Sequence, residues 1–185
     1  MKGFEKVAIA MLAMAAPVVS ASGAVDLNGR PADPFARPAR ARVLLFVRTD
    51  CPITNRYAPE LQSLAKEFGD REVRLWLIYP DRSETAAGIR KHIADYGFPG
   101  EPLRDPEHAL VGRAHATVAP EAAVFDAAGK LVYHGRIDDR YVDIGKARAA
   151  AQRHDLEDAI RAVLAGKPVQ ESETRAVGCS LADVE

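Results

Sequence analysis

The sequence has only two cysteines, no excess of charge of either sign and no internal repeat. Its formal net charge of −1 gives no reason to expect nucleic acid or an anionic membrane as a partner. The 185 residues, 48% of them hydrophobic, suffice for one domain with a substantial core but are few for two domains. We therefore expect a single globular domain.

The N-terminal apolar run, residues 7–19, is too short to cross a bilayer, which takes about 20 residues. Two lysines precede it and small residues follow it, and this order is typical of a secretory signal peptide. We expect residues 1–24 to be a signal peptide cleaved near Ala21 or Ala24. The mature protein would then be periplasmic or otherwise exported, without a membrane span; an uncleaved anchor is the alternative.

The rest of the chain predicts alternating strands and helices, with apolar runs at 43–47 and 73–79 typical of strands buried on both faces. The expected elements are a strand at 43–47, a helix from Pro52 to about Phe68, a strand at 73–79, a helix from Ser83 to about Tyr96, a short helix with Asp105 as N-cap, a hairpin of strands 122–126 and 131–137, a loop at 138–152 and a helix that starts at Asp155 and ends before Gly166. This order predicts an α/β, thioredoxin-like fold with a central mixed sheet flanked by helices. The domain would span residues 25–166, followed by a flexible tail, residues 167–185.

Cys51 follows the first predicted strand and comes directly before Pro52, a residue suited to the first turn of a helix. Free backbone N–H groups and the helix dipole stabilise an anion at such a place, which lowers the pKa of a thiol. Because the thiolate is the reactive species, we expect Cys51 to be a nucleophile rather than a small core residue. Arg48 could add positive potential.

Pro120 stands directly before the predicted hairpin. A thioredoxin fold carries a cis-proline at this point, facing the nucleophile across the groove that binds substrates. The predicted fold therefore implies a cis bond between Ala119 and Pro120 and a substrate-binding role for both residues. An ordinary trans proline at the start of a strand is the alternative.

Several motifs make the chain resemble the redoxin group of the thioredoxin superfamily, particularly the exported, peroxiredoxin-like proteins of bacteria related to alkyl hydroperoxide reductases. These motifs are "DCP" after the first strand, "APE" before the hairpin, "GKLVYHGRIDDR", "DLEDAIRAVLAGKPV" and "ETRAVGCSL", which includes Cys179. The resemblance covers nearly all of the mature chain. It implies thiol chemistry that needs neither a cofactor nor a metal.

At two positions this sequence departs from the active-site motifs of related thiol proteins. The second cysteine of a CxxC pair is absent, because Thr54 occupies its position three residues after Cys51. The threonine that peroxiredoxins carry three residues before their reactive cysteine is also absent, because Thr49 lies only two residues before Cys51. Peroxide reduction further needs an arginine beside the thiolate, for which Arg136, also a candidate substrate-binding residue, or Arg48 could serve.

The leading hypothesis is an exported thiol-based oxidoreductase. Cys51 would attack a protein disulfide or a peroxide, and Cys179 would resolve the resulting mixed disulfide or sulfenic acid. A distant resolving cysteine is reasonable because the entropy cost of closing a loop grows slowly with its length. A thiol electron donor would then restore the dithiol.

Two other hypotheses remain open. Copper handling, as in Sco-type chaperones, uses a CxxxC pair and a histidine; Asn55 replaces the second cysteine here, so Cys179 with His134 or His115 would have to substitute. The other histidines on helical stretches, such as His92, are expected at the surface. Alternatively, a structural Cys51–Cys179 disulfide would hold the tail of a non-catalytic protein and stabilise it by about 4–5 kcal/mol.

Export can be tested by cell fractionation of the full-length chain in a Gram-negative host. We expect a periplasmic protein whose intact mass corresponds to cleavage after Ala21 or Ala24, because the signal-peptide pattern ends there. A variant lacking residues 2–24 should stay in the cytoplasm. Recovery of the uncleaved full-length chain from the cytoplasm would contradict the prediction.

Overall fold

The computed structural model describes residues 23–69 and 72–181. Nearly all of the predicted signal peptide therefore lies outside the described residues. Among the described helices, none is long and apolar enough to cross a membrane.

The described residues form nine strands and five helices. In chain order they are β1 (Ala41–Phe46), α1 (Pro52–Arg56), α2 (Ala58–Phe68), β2 (Val73–Tyr79), α3 (Ala86–Tyr96), β3 (Glu101–Arg104), α4 (Ala109–Ala114), β4 (Val118–Ala119), β5 (Glu121–Asp126), β6 (Leu131–Gly135), β7 (Tyr141–Asp143), β8 (Lys146–Ala147), α5 (Asp155–Leu164) and β9 (Cys179–Ser180).

A five-stranded mixed sheet in the order β3-β2-β1-β5-β6 forms the centre of the domain. Strands β1, β2 and β3 run parallel, whereas β5 is antiparallel to β1 and forms a hairpin with β6. All six residues of β1 are buried. This is the central mixed sheet that the sequence predicted, and β1 is its middle strand because both of its faces are apolar.

Side chains of β1 alternate between two hydrophobic cores, one on each face of the sheet. Val43 and Leu45 belong to the core that includes buried residues of α2 and α5, while Leu44 and Phe46 belong to the core that includes buried residues of α4. The sheet is therefore covered on both sides. Cys51 lies in the first of these cores, close to the end of β1.

The helix predicted from Pro52 to Phe68 is interrupted at Tyr57. The cause is Pro59, which lacks the N–H group that would bond the carbonyl of Asn55 in a continuous helix. The Tyr57 N–H instead bonds the Thr54 carbonyl at 3.0 Å and closes α1 after a single turn. The break separates the short helix that follows Cys51 from the longer helix α2.

Asp105 caps α4, although it lies further back in the sequence than the N-cap position predicted for it. The helix begins at Ala109, and its N-cap residue is His108 in the left-handed conformation. The carboxylate of Asp105 nevertheless accepts hydrogen bonds from the N–H groups of Ala109, Leu110 and Val111 at 2.9–3.1 Å. Asp105 thus satisfies the free donors of the first turn across an intervening loop.

Several short strands were not predicted. The region expected to be a loop contains the small hairpin of β7 and β8. Strand β3 lies at the sheet edge and contains Pro102, which is tolerated there because an edge strand needs only half of its backbone donors.

The tail packs against the domain instead of extending freely. The Ser172 carbonyl accepts a hydrogen bond from His134, and the Thr174 N–H donates one to the His134 carbonyl. Gly135 permits this approach: its φ is +140°, and a Cβ on it would lie 2.2 Å from the Thr174 carbonyl oxygen. Beyond Thr174 the chain reaches β4, where Cys179 pairs with Ala119.

Replacement of Asp105 by alanine should lower the free energy of unfolding by about 1–3 kcal/mol. The reason is that three N–H groups at the start of α4 would lose their acceptor. Urea denaturation followed by circular dichroism measures the change. The control is Asp95→Ala, which removes an exposed ion pair with Lys91 and should cost less than about 0.5 kcal/mol. Equal losses of unfolding free energy in the two variants would contradict the capping role of Asp105.

Candidate active site

Cys51 is the N-cap residue of α1. Its backbone is extended, with φ −85° and ψ 112°, and its carbonyl accepts the first helical hydrogen bond from Asn55 at 3.1 Å. The residue is 0% exposed. The sulfur therefore sits at the helix end predicted for it, but it is covered.

Cys179 is the residue that approaches the Cys51 sulfur. The two Sγ atoms are 2.8 Å apart, and both residues are free thiols. The antiparallel pairing of β9 with β4 sets Cys179 opposite Ala119. As a thiol, Cys51 also donates to the Ala119 carbonyl at 3.1 Å. The structure thus brings together the two cysteines predicted to work as a pair.

The two thiols have pKa values shifted in opposite directions. Burial raises the pKa of Cys51, but hydrogen bonds from the Cys179 thiol and from the backbone and hydroxyl of Thr54 outweigh it and lower the pKa overall. The pKa of Cys179 is raised to about 12 by burial, by its hydrogen bond to Cys51 and by the charge of the Cys51 thiolate. Deprotonation therefore occurs first at Cys51.

Thr54 stands where a CxxC protein has its second cysteine. Its hydroxyl is buried and has no other acceptor within the described residues, so it is available to the Cys51 thiolate. The missing cysteine of the motif is thus replaced by a hydrogen-bond donor. The second sulfur comes from the tail.

Arg48, rather than Arg136, is the arginine beside the thiols. Its guanidinium binds the Asp50 carboxylate at 3.0 and 3.1 Å and the Ser180 carbonyl at 3.1 Å, and its charge lowers the pKa of Cys179. Arg136 is held by Asp155 at 2.7 and 3.2 Å, and its recorded hydrogen bonds do not reach either sulfur. A substrate-binding role for Arg136 stays a prediction.

The peptide bond between Ala119 and Pro120 is cis, as predicted. Because the Ala119 carbonyl contacts the Cys51 sulfur, Ala119 and Pro120 lie directly beside the candidate nucleophile. Their role in binding a substrate stays a prediction.

A buried polar network behind α1 was not predicted. His92, expected at the surface, is only 5% exposed; its ring bonds the Asn55 side chain at 2.7 Å and the Tyr79 hydroxyl at 3.0 Å. Burial lowers the pKa of His92, which favours the neutral ring. The Glu84 carboxylate accepts a hydrogen bond from the Thr49 N–H at 2.6 Å and so supports the loop before Cys51. No local sequence signal marks these contacts, since each joins distant elements.

Gly178 is a further residue that the sequence analysis did not identify. A Cβ at this position would lie 2.1 Å from the Ala119 carbonyl oxygen and 3.0 Å from the Pro120 nitrogen. Both neighbours are backbone atoms, which cannot move aside as a flexible side chain could. The glycine before Cys179 is therefore needed for the close approach of the tail.

The ligands proposed for copper do not assemble around the thiols. His115 and His134 lie together, with ring centroids 5.9 Å apart. Within the described residues, however, the one three-donor group compact enough for a metal is that of Glu60, His154 and Glu157, and it includes neither cysteine. The geometry therefore does not favour a copper site built from Cys179 and these histidines.

One family model matches this chain. The model of the AhpC/TSA family matches residues 32–134, which is more than half of the chain. No curated protein sequence matches significantly.

Solved structures show the same fold. A hypothetical protein from Sinorhizobium meliloti 1021 superposes with a TM-score of 0.71 at 24% identity, covering 84% of this chain and 87% of its own. An uncharacterized conserved protein from Geobacillus kaustophilus gives 0.72 at 23% identity, covering 84% of both chains. A secreted disulfide oxidoreductase from Mycobacterium tuberculosis gives 0.53 at 20% identity, covering 77% of this chain and 93% of its own. The thioredoxin-like fold predicted from the sequence is thus confirmed.

Replacement of Thr54 by valine should raise the pKa of Cys51. The reason is that the hydroxyl that stabilises the thiolate is lost. The pH dependence of iodoacetamide alkylation of Cys51 in the Cys179→Ser background measures the pKa, because only the thiolate reacts. At a pH just below the midpoint of the alkylation curve of Cys179→Ser alone, Cys51 of the valine variant should therefore be alkylated more slowly. The control is Thr54→Ser, which retains the hydroxyl and should keep the original midpoint; a valine midpoint equal to it would contradict the role of Thr54.

Proposed function

Because the chain belongs to the AhpC/TSA family, we propose that it is a thiol-dependent oxidoreductase in which Cys51 attacks the substrate and Cys179 resolves the intermediate. The observation that carries this proposal is the 2.8 Å approach of two thiols with opposite pKa shifts. A structural disulfide alone would not require one of the sulfurs to be selectively activated. We further propose that the protein works in an exported, oxidising compartment.

The substrate that we propose is a disulfide. The Cys51 thiolate attacks one sulfur of the substrate, whose S–S bond breaks and leaves a thiolate, while Cys51 enters a mixed disulfide. Cys179 then attacks the Cys51 sulfur, the mixed disulfide breaks, and the second substrate thiol leaves. Two electrons have passed from the dithiol to the substrate, and the product is a Cys51–Cys179 disulfide. An external thiol donor reduces it for the next cycle.

The order of events follows from the electrostatics of the pair. In the reduced protein the Cys51 thiolate raises the pKa of Cys179 by its charge and by accepting the hydrogen bond. Both effects vanish once Cys51 has entered a mixed disulfide, because its sulfur is then neutral. The charge of Arg48, which lowers the pKa of Cys179, remains. Cys179 is therefore easier to deprotonate at the stage at which it must attack.

Peroxide reduction is the second candidate, and the guanidinium of Arg48 near the thiols favours it. The Cys51 thiolate would attack the O–O bond, form a sulfenic acid and release water or an alcohol. Cys179 would then attack the sulfur of the Cys51 sulfenic acid. Water would leave, and the same Cys51–Cys179 disulfide would form. Disulfide exchange remains the main proposal, because the peroxiredoxin threonine is absent and the guanidinium of Arg48 is already paired with the Asp50 carboxylate.

Stopped-flow reaction of the reduced mature protein with a small aromatic disulfide and with hydrogen peroxide tests the proposal. Wild type should react with the disulfide and form an internal Cys51–Cys179 bridge. Cys179→Ser should complete a single attack and accumulate the mixed disulfide, whereas Cys51→Ser should lose at least about 10²-fold in rate.

Three results would refute or redirect the proposal. Full activity of Cys51→Ser would refute the assigned roles, and no reaction of wild type with either oxidant would refute the function. Faster reaction with peroxide than with the disulfide would favour the second candidate. Ser63→Ala, a replacement on the exposed surface of α2, serves as the control and should react like wild type.

A further inference from the structure

We infer, resting on the function proposed above, that the tail occupies the substrate site of its own protein, and that the preferred substrate is an extended peptide with the pattern Gly-Cys-x-Leu. Such a peptide would pair with β4 in place of β9. Binding of the substrate and docking of the tail would then exclude each other.

The first observation is that Cys51 is 0% exposed while the tail is docked. The Cys179 sulfur lies 2.8 Å from the Cys51 sulfur, and hydrogen bonds of the next two residues keep the segment docked. The Ser180 carbonyl accepts a hydrogen bond from Arg48, and the Leu181 N–H donates one to Thr117. A protein disulfide cannot reach the Cys51 sulfur until this segment leaves.

The second observation concerns what the departing segment exposes. In the described part of the chain, β4 pairs with no strand except β9. Undocking therefore leaves Val118 and Ala119 as an unpaired strand edge directly beside the nucleophile. Unpaired edges bind extended segments through backbone hydrogen bonds, and side-chain positions along the segment then supply specificity.

The tail shows which segment fits this edge. A residue opposite Ala119 delivers its sulfur to Cys51, as Cys179 does. The residue before it must be glycine, because a Cβ there would meet backbone atoms at 2.1 Å and 2.5 Å. The residue two positions after the cysteine must be apolar, because Leu181 is 3% exposed and belongs to the second hydrophobic core.

Because the tail and the substrate segment cannot occupy β4 together, resolution by Cys179 is coupled to release of the product. Once the substrate cysteine is in a mixed disulfide with Cys51, its segment occupies the edge, and Cys179 is held away. When the tail re-docks on β4, it displaces this segment and brings the Cys179 thiolate to the Cys51 sulfur. The Cys51–substrate bond breaks, the Cys51–Cys179 bond forms and the substrate leaves as a thiol. Resolution and product release thus become one event.

The experiment uses the mature Cys179→Ser variant with its complete tail, which can attack but cannot resolve. The probe is the peptide RAVGCSL, which reproduces residues 175–181, with its cysteine in a mixed disulfide with thionitrobenzoate. Attack by Cys51 on the peptide sulfur releases the coloured thionitrobenzoate anion. The matched peptides are RAVACSL and RAVGCSS, and the mixed disulfide of cysteamine with thionitrobenzoate serves as a probe without a peptide.

We expect RAVGCSL to react about tenfold or more faster than either RAVACSL or RAVGCSS, because the first change places a Cβ against backbone atoms of the edge and the second puts a polar side chain where Leu181 is buried in the second core. Equal rates for the three peptides, with normal reaction of the cysteamine probe, would overturn the inference and leave the proposed function intact. No reaction with any probe would instead contradict the proposed function.

A second variant tests the competition between tail and peptide. Gly178→Ala, added to Cys179→Ser, places a Cβ against the Ala119 carbonyl and weakens the docking of the tail. The rate with RAVGCSL should rise several-fold while the preference for RAVGCSL over RAVACSL persists. An unchanged or lower rate would show that the tail does not occupy the substrate site.

Discussion

The backbone pairing of β9 with β4 is the interaction on which the rest of the site depends. It sets Cys179 opposite Ala119 and brings a residue 128 positions along the chain into contact with Cys51. Without this pairing, Cys51 would be a lone cysteine at the start of a helix with no second sulfur. With it, the domain holds a dithiol that its sequence motif lacks.

The pairing of β9 with β4 is held by few interactions. Burial of Leu181 contributes about 1.5–3 kcal/mol, and each of the few hydrogen bonds of the segment adds about 0.5–1.5 kcal/mol before the entropy of ordering the tail is subtracted. The opening proposed for this segment breaks only these contacts and leaves the five-stranded sheet paired. Local opening of this kind is typical of segments that control access to a site.

The features that the sequence predicted well are those that depend on nearby residues. The alternation of buried strands and helices and the place of Cys51 at a helix start follow from apolar periodicity and from residues adjacent in the chain. The cis bond before Pro120 is implied by the thioredoxin-like fold rather than by its neighbours in the chain. The missed features depend on residues far apart. The buried ring of His92 bonds Asn55 and Tyr79, and the need for Gly178 arises from the Ala119 carbonyl, so neither has a local pattern. The helix break at Tyr57 could have been predicted, because Pro59 is visible in the sequence.

The anchoring of Thr174 against Gly135 determines how far the second sulfur can travel. Thr174 is buried and bonded to the Tyr133 hydroxyl, which anchors the tail at this residue. The tether from there to Cys179 reaches at most roughly 17–18 Å even when fully extended. The undocked thiol therefore stays near Cys51 at an effective concentration that is in the millimolar range for short flexible linkers. In the proposed cycle, Cys179 would leave the groove to admit another molecule and still compete with the free thiols of the solution.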